Sequence, residues 1–264
     1  MKKYLVVGNP IKHSLSPKLH NHWIKKNNIN AIYEKKQLTV SELEEVISEL
    51  RKDKIHGINV TVPFKVSIIP FIDKLSVEAK EAHSVNTIYK ENNKILGHNT
   101  DISGFELAIR GKGYNLKNKT VFILGAGGVV PSIIIALKKM NVSKIIVSNR
   151  TEKKAEEIKK KFSYIKICSW GRIPDFDMII NATSVGLNNA DELELKFEKI
   201  GSNKIFYDVI YNPSQTKFLI NAKKLGNQIE NGKMMFVYQA HQAFTIWHKV
   251  MPRIDEETIK LLDL

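Results

Sequence analysis

Short apolar runs alternate with amphipathic segments along the whole chain, and this alternation limits the fold more than any other feature of the sequence. Strands that are buried on both faces read as continuous apolar runs, whereas a connecting helix carries an apolar stripe with a period of 3.6 residues. The pattern therefore predicts an α/β protein whose strands are mostly parallel.

The apolar runs form two consecutive series. The first predicts strands over 4–7, 31–35, 57–61, 86–89 and 95–97, and the second over 120–124, 144–148, 165–168, 178–181 and 204–209. Helical periodicity is clearest over 75–82, 102–110, 132–140 and 152–162. We therefore expect one domain over 1–101 and a second over 102–234. The final helices, over 235–264, are expected to pack back on the first domain.

Charge and composition narrow the class of protein. The net charge of +14 comes from lysines that are spread along the chain, often beside glutamates, without a basic tail or a zinc-finger signature. This indicates a solvated surface rather than a nucleic-acid partner. The single cysteine, Cys168, is typical of a reducing compartment. No apolar stretch approaches the roughly 18 residues that a membrane span needs. We expect a cytoplasmic protein without a nucleic-acid or membrane partner.

A glycine-rich turn marks the start of the second domain. The apolar run 120–124 leads directly into Gly125, Ala126, Gly127, Gly128 and Val129. Glycines allow a tight turn and bring backbone N–H groups against a pyrophosphate, and the following helix offers its positive end to the same anion. The position between a strand and a helix predicts a dinucleotide-binding turn.

The end of the next predicted strand indicates which dinucleotide is bound. NAD enzymes usually have an acidic residue here that holds the ribose 2′-hydroxyl. This chain has Asn149, Arg150 and Thr151, with Lys153 and Lys154 close behind. Because a guanidinium can clasp a phosphate that a carboxylate would repel, the sequence favours NADP over NAD.

Polar side chains also follow the predicted strands of the first domain. Ser14 and Ser16 stand at a predicted helix start, where free hydroxyls suit a carboxylate. Lys65 lies in a polar loop after the strand over 57–61, and Asn86 and Asp101 stand at further chain turns. The same serines are also typical of a plain N-cap, and a single lysine among so many is typical of a solvated surface, so these positions are compatible with a substrate site but do not specify it.

Taken together, the motifs resemble the shikimate dehydrogenase family over essentially the whole chain. The resemblance rests on Ser14-Leu-Ser-Pro17, Asn59-Val-Thr-Val-Pro-Phe-Lys65, Val85-Asn-Thr87, Asn99-Thr-Asp101, Gly125-Ala-Gly-Gly128, Asn149-Arg-Thr151, Asn181-Ala-Thr-Ser-Val-Gly-Leu187, Asp208-Val-Ile-Tyr-Asn-Pro213 and Gln239-Ala240. Two places depart from the family's pattern. His83-Ser84 replaces a common Gly-Ala, and Val129-Val130-Pro131 replaces an Ala-rich run.

The resemblance implies an N-terminal substrate-binding domain with a mixed sheet, a Rossmann NADP-binding domain and an active-site cleft between them. It implies the reversible NADP-dependent reduction of 3-dehydroshikimate to shikimate, a step of aromatic amino-acid and chorismate biosynthesis, by a monomer or homodimer. Lys65 and Asp101 would be catalytic. The substrate would be held by Ser14, Ser16, Thr61, Lys65, Asn86, Asp101, Tyr211 and Gln239. The cofactor would be held by the residues of the glycine-rich turn, Asn149, Arg150, Thr151, Lys154, Thr183, Val209 and Gly232.

The chemistry of ketone reduction agrees with these roles. Hydride transfer leaves an alkoxide, which a lysine ammonium can both stabilise and protonate. The sequence leaves open whether Lys65 donates the proton or mainly stabilises the charge, and whether Asp101 orients a ring hydroxyl. No catalytic metal is implied, because His20 and His22 face different ways on a predicted helix.

Several alternative functions remain at this stage. The chain could act on quinate or an amino-substituted analogue, or accept NAD. A folate-linked dehydrogenase of related architecture is disfavoured by the Ser14 and Ser16 pair. A non-catalytic nucleotide-binding or nucleic-acid-binding protein is disfavoured because both Lys65 and Asp101 are retained.

Overall fold

The computed structural model describes residues 1–188, 191–195, 197 and 200–263 of the 264-residue chain. Its strands are β1 (Lys2–Gly8), β2 (Ala31–Gln37), β3 (Gly57–Val60), β4 (Lys74–Leu75), β5 (Thr87–Glu91), β6 (Lys94–His98), β7 (Thr120–Leu124), β8 (Lys144–Ser148), β9 (Lys166–Ile167), β10 (Met178–Asn181), β11 (Ile205–Asp208) and β12 (Gln228–Glu230). Its helices are α1 (Ser16–Lys26), α2 (Leu43–Arg51), α3 (Val77–Ala82), α4 (Asp101–Gly111), α5 (Val130–Lys139), α6 (Glu152–Lys161), α7 (Lys217–Lys224), α8 (Lys233–His248) and α9 (Glu256–Lys260).

The chain divides into two compact units. The first consists of Met1–Gly104 together with Val237–Asp263, and the second consists of Phe105–Phe236. One boundary falls inside α4 and the other inside α8. The first unit is therefore assembled from both ends of the chain.

The first unit is built on a mixed six-stranded sheet with the order β2-β1-β3-β5-β6-β4. β1 pairs in parallel with β2 and β3, whereas β5 runs antiparallel to both β3 and β6. The antiparallel pair follows from the tight turn at Asn92 and Asn93, which both have positive φ, a conformation that asparagine tolerates.

Alternate residues of β1 face opposite sides of this sheet, as the strand period requires. Leu5 and Val7 belong to the core that includes the apolar face of α2. Tyr4 instead contacts the rings of Trp247 and His248 on α8. Gly57 on the neighbouring strand leaves room for α8, since an added Cβ would lie 2.5 Å from Nε1 of Trp247.

The second unit contains a parallel six-stranded sheet with the order β12-β11-β10-β7-β8-β9. In chain order of its own strands this is 6-5-4-1-2-3, the order of the doubly wound nucleotide-binding fold. Helix α5 is buried over Val130, Pro131 and all six following residues up to Leu137, as expected of a helix that is apolar all round. The predicted α/β class, with one mixed and one Rossmann-like sheet, is confirmed.

Several element bounds differ from the sequence predictions. The strand predicted over 165–168 is only two residues long, and β4 and β12 were not predicted at all. β4 is too short for periodicity to detect, and β12 reads Gln-Ile-Glu, with a single apolar side chain. Among the described residues, no helix is both long and apolar enough to cross a membrane.

Candidate active site and nucleotide-binding turn

Lys65 and Asp101 form a buried ion pair in the first unit. Nζ of Lys65 donates to Oδ2 of Asp101 at 2.5 Å, and the two side chains are 11% and 6% exposed. Lys65 follows β3, and the N–H of Val85 donates to its backbone carbonyl at 2.8 Å. Asp101 is the first residue of α4, where the helix dipole favours a negative charge. The structure thus brings together the two residues that were predicted to be catalytic.

Two asparagines hold Asp101, one through its carboxylate and one through its backbone. Nδ2 of Asn86 donates to Oδ1 of Asp101 at 2.9 Å, so each carboxylate oxygen accepts from a different side chain. Oδ1 of Asn99 accepts from the N–H groups of Asp101 and Ile102 at 3.0 and 3.2 Å, which caps α4. The ammonium and carboxylate are therefore held by buried neighbours rather than by solvent.

A further set of hydrogen bonds runs behind Asn86 through the sheet. Nδ2 of Asn59 donates to the Asn86 carbonyl at 3.0 Å and to Oγ1 of Thr87 at 3.1 Å. The hydroxyl of Tyr33 donates to Oδ1 of Asn59 at 2.7 Å. Oδ1 of Asn86 itself accepts from the N–H of Thr100 at 2.8 Å and from Oγ1 of Thr87 at 3.1 Å. Since an unpaired buried amide is costly, these bonds leave the Asn86 side chain one favourable orientation.

The predicted carboxylate-binding serines lie together at the start of α1. Oγ of Ser14 donates to Oγ of Ser16 at 3.2 Å and accepts from the N–H of Ser16 at 3.3 Å. Ser16 is the first residue of α1, ahead of Pro17. Thr61 follows β3 and is half-buried. Its methyl group packs closely on Gly8, since an added Cβ on Gly8 would lie 2.5 Å from Cγ2 of Thr61. These hydroxyls stand at helix and strand ends of the first unit.

Gln239 and Tyr211, the other two predicted substrate residues, belong to different units. Gln239 is half-buried on α8 in the part that belongs to the first unit. Tyr211 follows β11 in the second unit, where its ring stacks on Phe236 at a centroid distance of 4.4 Å.

The glycine-rich turn of the second unit fits a dinucleotide pyrophosphate. Gly125 has a φ of +109° and packs so closely on the loop after β10 that an added Cβ would lie 2.8 Å from the Ala182 carbonyl oxygen. Gly127 is exposed, and α5 begins at Val130 with Pro131 in its first turn. The turn therefore presents backbone and the positive end of α5 at the point where strand order reverses, between β7 and β10. Ala126, Gly128 and Val129, the remaining predicted residues of the turn, are half-buried.

The predicted 2′-phosphate residues follow β8 at the same edge of the sheet. Nδ2 of Asn149 donates to the Thr151 carbonyl at 2.8 Å, which closes the turn into α6. Arg150 and Lys154 are exposed. A basic, solvated turn without a carboxylate at position 149 suits a phosphate better than a ribose hydroxyl.

Thr183, Val209 and Gly232 lie in loops that follow the strands of the second sheet. The N–H and hydroxyl of Thr183 donate to Oδ1 of Asn181 at 3.1 and 2.7 Å. An added Cβ on Gly232 would lie 2.1 Å from the Val209 carbonyl oxygen, so only glycine fits there. The N–H of Gly232 donates to the carbonyl of Ile210 at 3.1 Å.

One cluster of metal-ligand side chains occurs among the described residues, away from Lys65. Atoms of His22, Asp255 and Glu257 lie within 4.8 Å of one another. The ammonium of Lys26 already pairs with both carboxylates, at 3.0 and 2.6 Å. The positive charge at this cluster is therefore supplied by the protein.

Comparison with known proteins places the chain in a family. Residues 6–88 match the family described as the shikimate dehydrogenase substrate binding domain, and residues 106–210 match the family described as shikimate / quinate 5-dehydrogenase. The shikimate dehydrogenase (NADP(+)) of Pelagibacter ubique is 62% identical over 263 residues, which cover 100% of this chain and 99% of the relative. The chain belongs to the shikimate dehydrogenase family.

Solved structures of the shikimate dehydrogenase family agree with the fold. A shikimate dehydrogenase crystallised in complex with NADP⁺ gives a TM-score of 0.92 at 33% identity, with 99% of this chain and 94% of that chain covered. The Thermus thermophilus shikimate 5-dehydrogenase in complex with NADP(H) and shikimate gives 0.89 at 28% identity, with 99% and 98% covered.

Sequence reasoning gave no role to four side chains that support the site of this shikimate dehydrogenase family member. Asn59 and Asn99 hold the residues around Asp101, and Asn181 and Asp208 hold the loops after β10 and β11. All four stand in the quoted motifs, but the motif alone does not say which side chain each amide or carboxylate will meet.

Proposed function

We propose that this protein catalyses the reversible NADP-dependent reduction of 3-dehydroshikimate to shikimate. The observation that carries the proposal is the buried Lys65–Asp101 pair, with Asn86 as a third member. Family membership supports the reaction class, and the named relative is an NADP(+) enzyme. The pathway assignment follows from the reaction.

The chain's own residues supply charge stabilisation and a proton. When bound, the nicotinamide delivers or accepts the hydride. Lys65 stabilises the negative charge that develops on the substrate oxygen during reduction, and its ammonium donates the proton that completes the alcohol. Asp101 keeps the ammonium directed, because one of its oxygens accepts from Lys65 and the other from Asn86.

The remaining polar groups of the first unit bind and orient the substrate. The hydroxyls of Ser14 and Ser16 donate to its carboxylate near the start of α1, where the helix dipole also attracts an anion. Thr61, Asn86 and Gln239 hydrogen-bond ring hydroxyls of the substrate, and Tyr211 is a further substrate residue that the family resemblance implies. In this proposal the first unit is the substrate domain, the second is the NADP domain, and the enzyme is cytoplasmic and monomeric or homodimeric.

The direct test is absorbance of the NADPH band with shikimate or quinate as substrate and NADP or NAD as acceptor. We expect the highest kcat/KM for shikimate with NADP. No activity with any of the four combinations would exclude the proposal, and activity with quinate alone would move the protein to that substrate.

The role of Lys65 is tested by Lys65→Ala, with Lys52→Ala as the matched control on an exposed lysine of the same unit. We expect kcat to fall by about a hundredfold or more, while the KM for shikimate stays within a few-fold, because charge stabilisation and proton transfer act in the transition state. A large rise in KM at normal kcat would make Lys65 a binding residue instead.

A further inference from the structure

Asp208 occupies a position in the second unit that the proposed reaction does not explain. It is the last residue of β11, is fully buried, and has no described basic partner in an ion pair. A buried carboxylate without a countercharge is costly unless several donors point at it. Three do so here.

The three donors come from three different segments. Oδ2 of Asp208 accepts from Oγ1 of Thr216 at 2.6 Å and from Nδ2 of Asn181 at 3.1 Å, and Oδ1 accepts from the N–H of Ile210 at 3.0 Å. Thr216 is the N-cap of α7, and Asn181 ends β10. One carboxylate thus connects the ends of two neighbouring strands to the start of a helix.

Asn181 passes this restraint on to the loop after β10. Its Nδ2 also donates to the Val185 carbonyl at 3.1 Å, and its Oδ1 accepts from both the N–H and the hydroxyl of Thr183. Oγ1 of Thr183 in turn accepts from the N–H of Val185 at 3.1 Å. The Asn181 side chain therefore fixes the loop over 181–185, provided that its amide keeps one orientation. The hydrogen bond to Asp208 holds that orientation.

This loop forms one wall of the glycine-rich turn. A Cβ on Gly125 would lie 2.8 Å from the Ala182 carbonyl and 3.1 Å from the N–H nitrogen of Thr183. In a sheet of this strand order, nucleotides lie at the carboxyl ends of the strands where the order reverses, here between β7 and β10. A shift of the loop over 181–185 would therefore alter the surface against which the dinucleotide packs.

We propose that Asp208 is a positioning residue for the dinucleotide: through Asn181 it holds the loop over 181–185 in the conformation that NADP requires. The inference rests on the proposed function for the identity of the ligand. Asp208 itself does not contact the cofactor or the reacting atoms in this proposal.

The energetics of the buried carboxylate support a functional reason for its presence. Burial raises the pKa of Asp208 to about 6, although the bonds from Thr216, Ile210 and Asn181 oppose that shift. Because the pKa of Asp208 is higher in the folded protein than in the unfolded chain, the ionised carboxylate lowers the free energy of unfolding at neutral pH. A residue that is costly to fold but orients a ligand-binding loop is typical of a functional site.

The test is direct binding of NADPH, followed by its fluorescence at pH 8 without substrate, for wild type, Asp208→Asn and the control Asp175→Asn, whose carboxylate is exposed in the same unit. We expect Asp208→Asn to raise the Kd for NADPH about tenfold, because the amide replaces one of the two acceptor oxygens by an NH2 group that faces a donor. The melting temperature should stay unchanged or rise. In steady state, the KM for NADP should rise while the KM for shikimate stays within a few-fold.

The outcomes separate this inference from the proposed function. A wild type that does not bind NADPH would refute the proposed function. A wild type that binds, with Asp208→Asn binding equally well, would refute the positioning role alone. If Asp208→Asn fails to fold, Thr216→Val and Thr216→Ser decide the question. The first removes the hydroxyl donor to Asp208 and should weaken NADPH binding, whereas the second keeps it and should not, and equal affinities for the two would overturn the inference.

Discussion

Mild acid should destabilise the first unit, and one buried histidine, His20, should account for a measurable part of the loss. His20 on α1 is fully buried, and among the described residues neither of its ring nitrogens has a hydrogen-bond partner. Its ring stacks on Tyr33 at 4.2 Å with an interplanar angle of 4°, and it also contacts Trp23, Phe244 and Trp247. Burial, assisted by the nearby His248, lowers the pKa of His20 from 6.5 to about 3.

The sign and size of the effect follow from proton linkage. Because the pKa of His20 is lower in the folded protein than in the unfolded chain, acid favours the unfolded chain. The stability is fully present above pH 6.5 and is lost as the pH falls from 6.5 toward 3. Each pH unit in that window costs about 1.4 kcal/mol, so lowering the pH to 5 should cost about 2 kcal/mol. Burial and the nearby Lys2 lower the pKa of His248 to about 4, so His248 adds a loss of similar size down to pH 5, which still lies above that pKa.

The assay must report the first unit alone, since two units need not unfold together. Trp23 and Trp247 lie in the first unit, whereas Trp170 lies in the second. In a Trp170→Phe background, tryptophan fluorescence therefore follows the first unit during urea unfolding. A loss of 2 kcal/mol should lower the urea midpoint by about 0.7 M, if the slope is near 3 kcal/mol/M.

The decisive variant is His20→Phe, which keeps an aromatic ring against Tyr33 but cannot take up a proton. Between pH 6.5 and 5, the variant should lose about 2 kcal/mol less of its free energy of unfolding than the wild type loses, which is the share assigned to His20. His13→Asn, which changes a histidine exposed to solvent, is the matched control and should keep the wild-type slope. A His20→Phe protein with the full wild-type slope would refute the reasoning.

Three further predictions concern the cofactor, the backbone and the substrate. Arg150→Ala should weaken NADP binding by about 1.5–3 kcal/mol with little change for NAD, because a charged hydrogen bond to the 2′-phosphate is lost. Binding titrations with both cofactors measure this, and Arg172→Ala is the control. Equal losses of affinity for NADP and NAD would contradict the prediction. His83, directly after α3, has φ +46° and ψ +45°. His83→Gly should therefore raise the free energy of unfolding by about 0.5–1 kcal/mol, because glycine adopts this region without strain. Urea unfolding at pH 8 measures the change, and a decrease would show that the His83 ring stabilises the fold. Shikimate should be preferred to quinate by about a hundredfold in kcat/KM, since a pocket rejects an added hydroxyl only modestly; a ratio of one or below would rule out shikimate as the preferred substrate.

The sequence alone was sufficient to predict those structural elements that are specified by residues adjacent in the chain. The strand, glycine-rich turn and helix around Gly125 could be read directly, because each is specified by adjacent residues. The proximity of Lys65 and Asp101 depended on the resemblance to a family, since the two residues stand in separate motifs. The cofactor and substrate roles of the individual residues stay predictions.

The supporting network could not be read in the same way, because it depends on register. Asn59 lies opposite Thr87 only because β3 and β5 pair antiparallel with that alignment. A shift of one residue would turn the Asn59 side chain to the other face of the sheet and away from Asn86. Asp208 and Asn181 likewise meet because β10 and β11 pair in register at their last residues. Pairing of this kind is set by the whole core rather than by the motif.

The origin of the first unit from both ends of the chain has a consequence for biosynthesis. Trp23 and His20 are synthesised before the second unit, whereas their partners Phe244 and Trp247 are synthesised after it. Nε1 of Trp23 donates to the carbonyl of Arg253, which lies 230 residues later in the sequence. Domains usually fold in the order in which they are synthesised, but here the second unit is complete before the first can close its aromatic core. A nascent chain should therefore carry an exposed aromatic surface on α1 until the residues over 237–253 have been synthesised, and a protein shortened before residue 237 should keep that surface permanently.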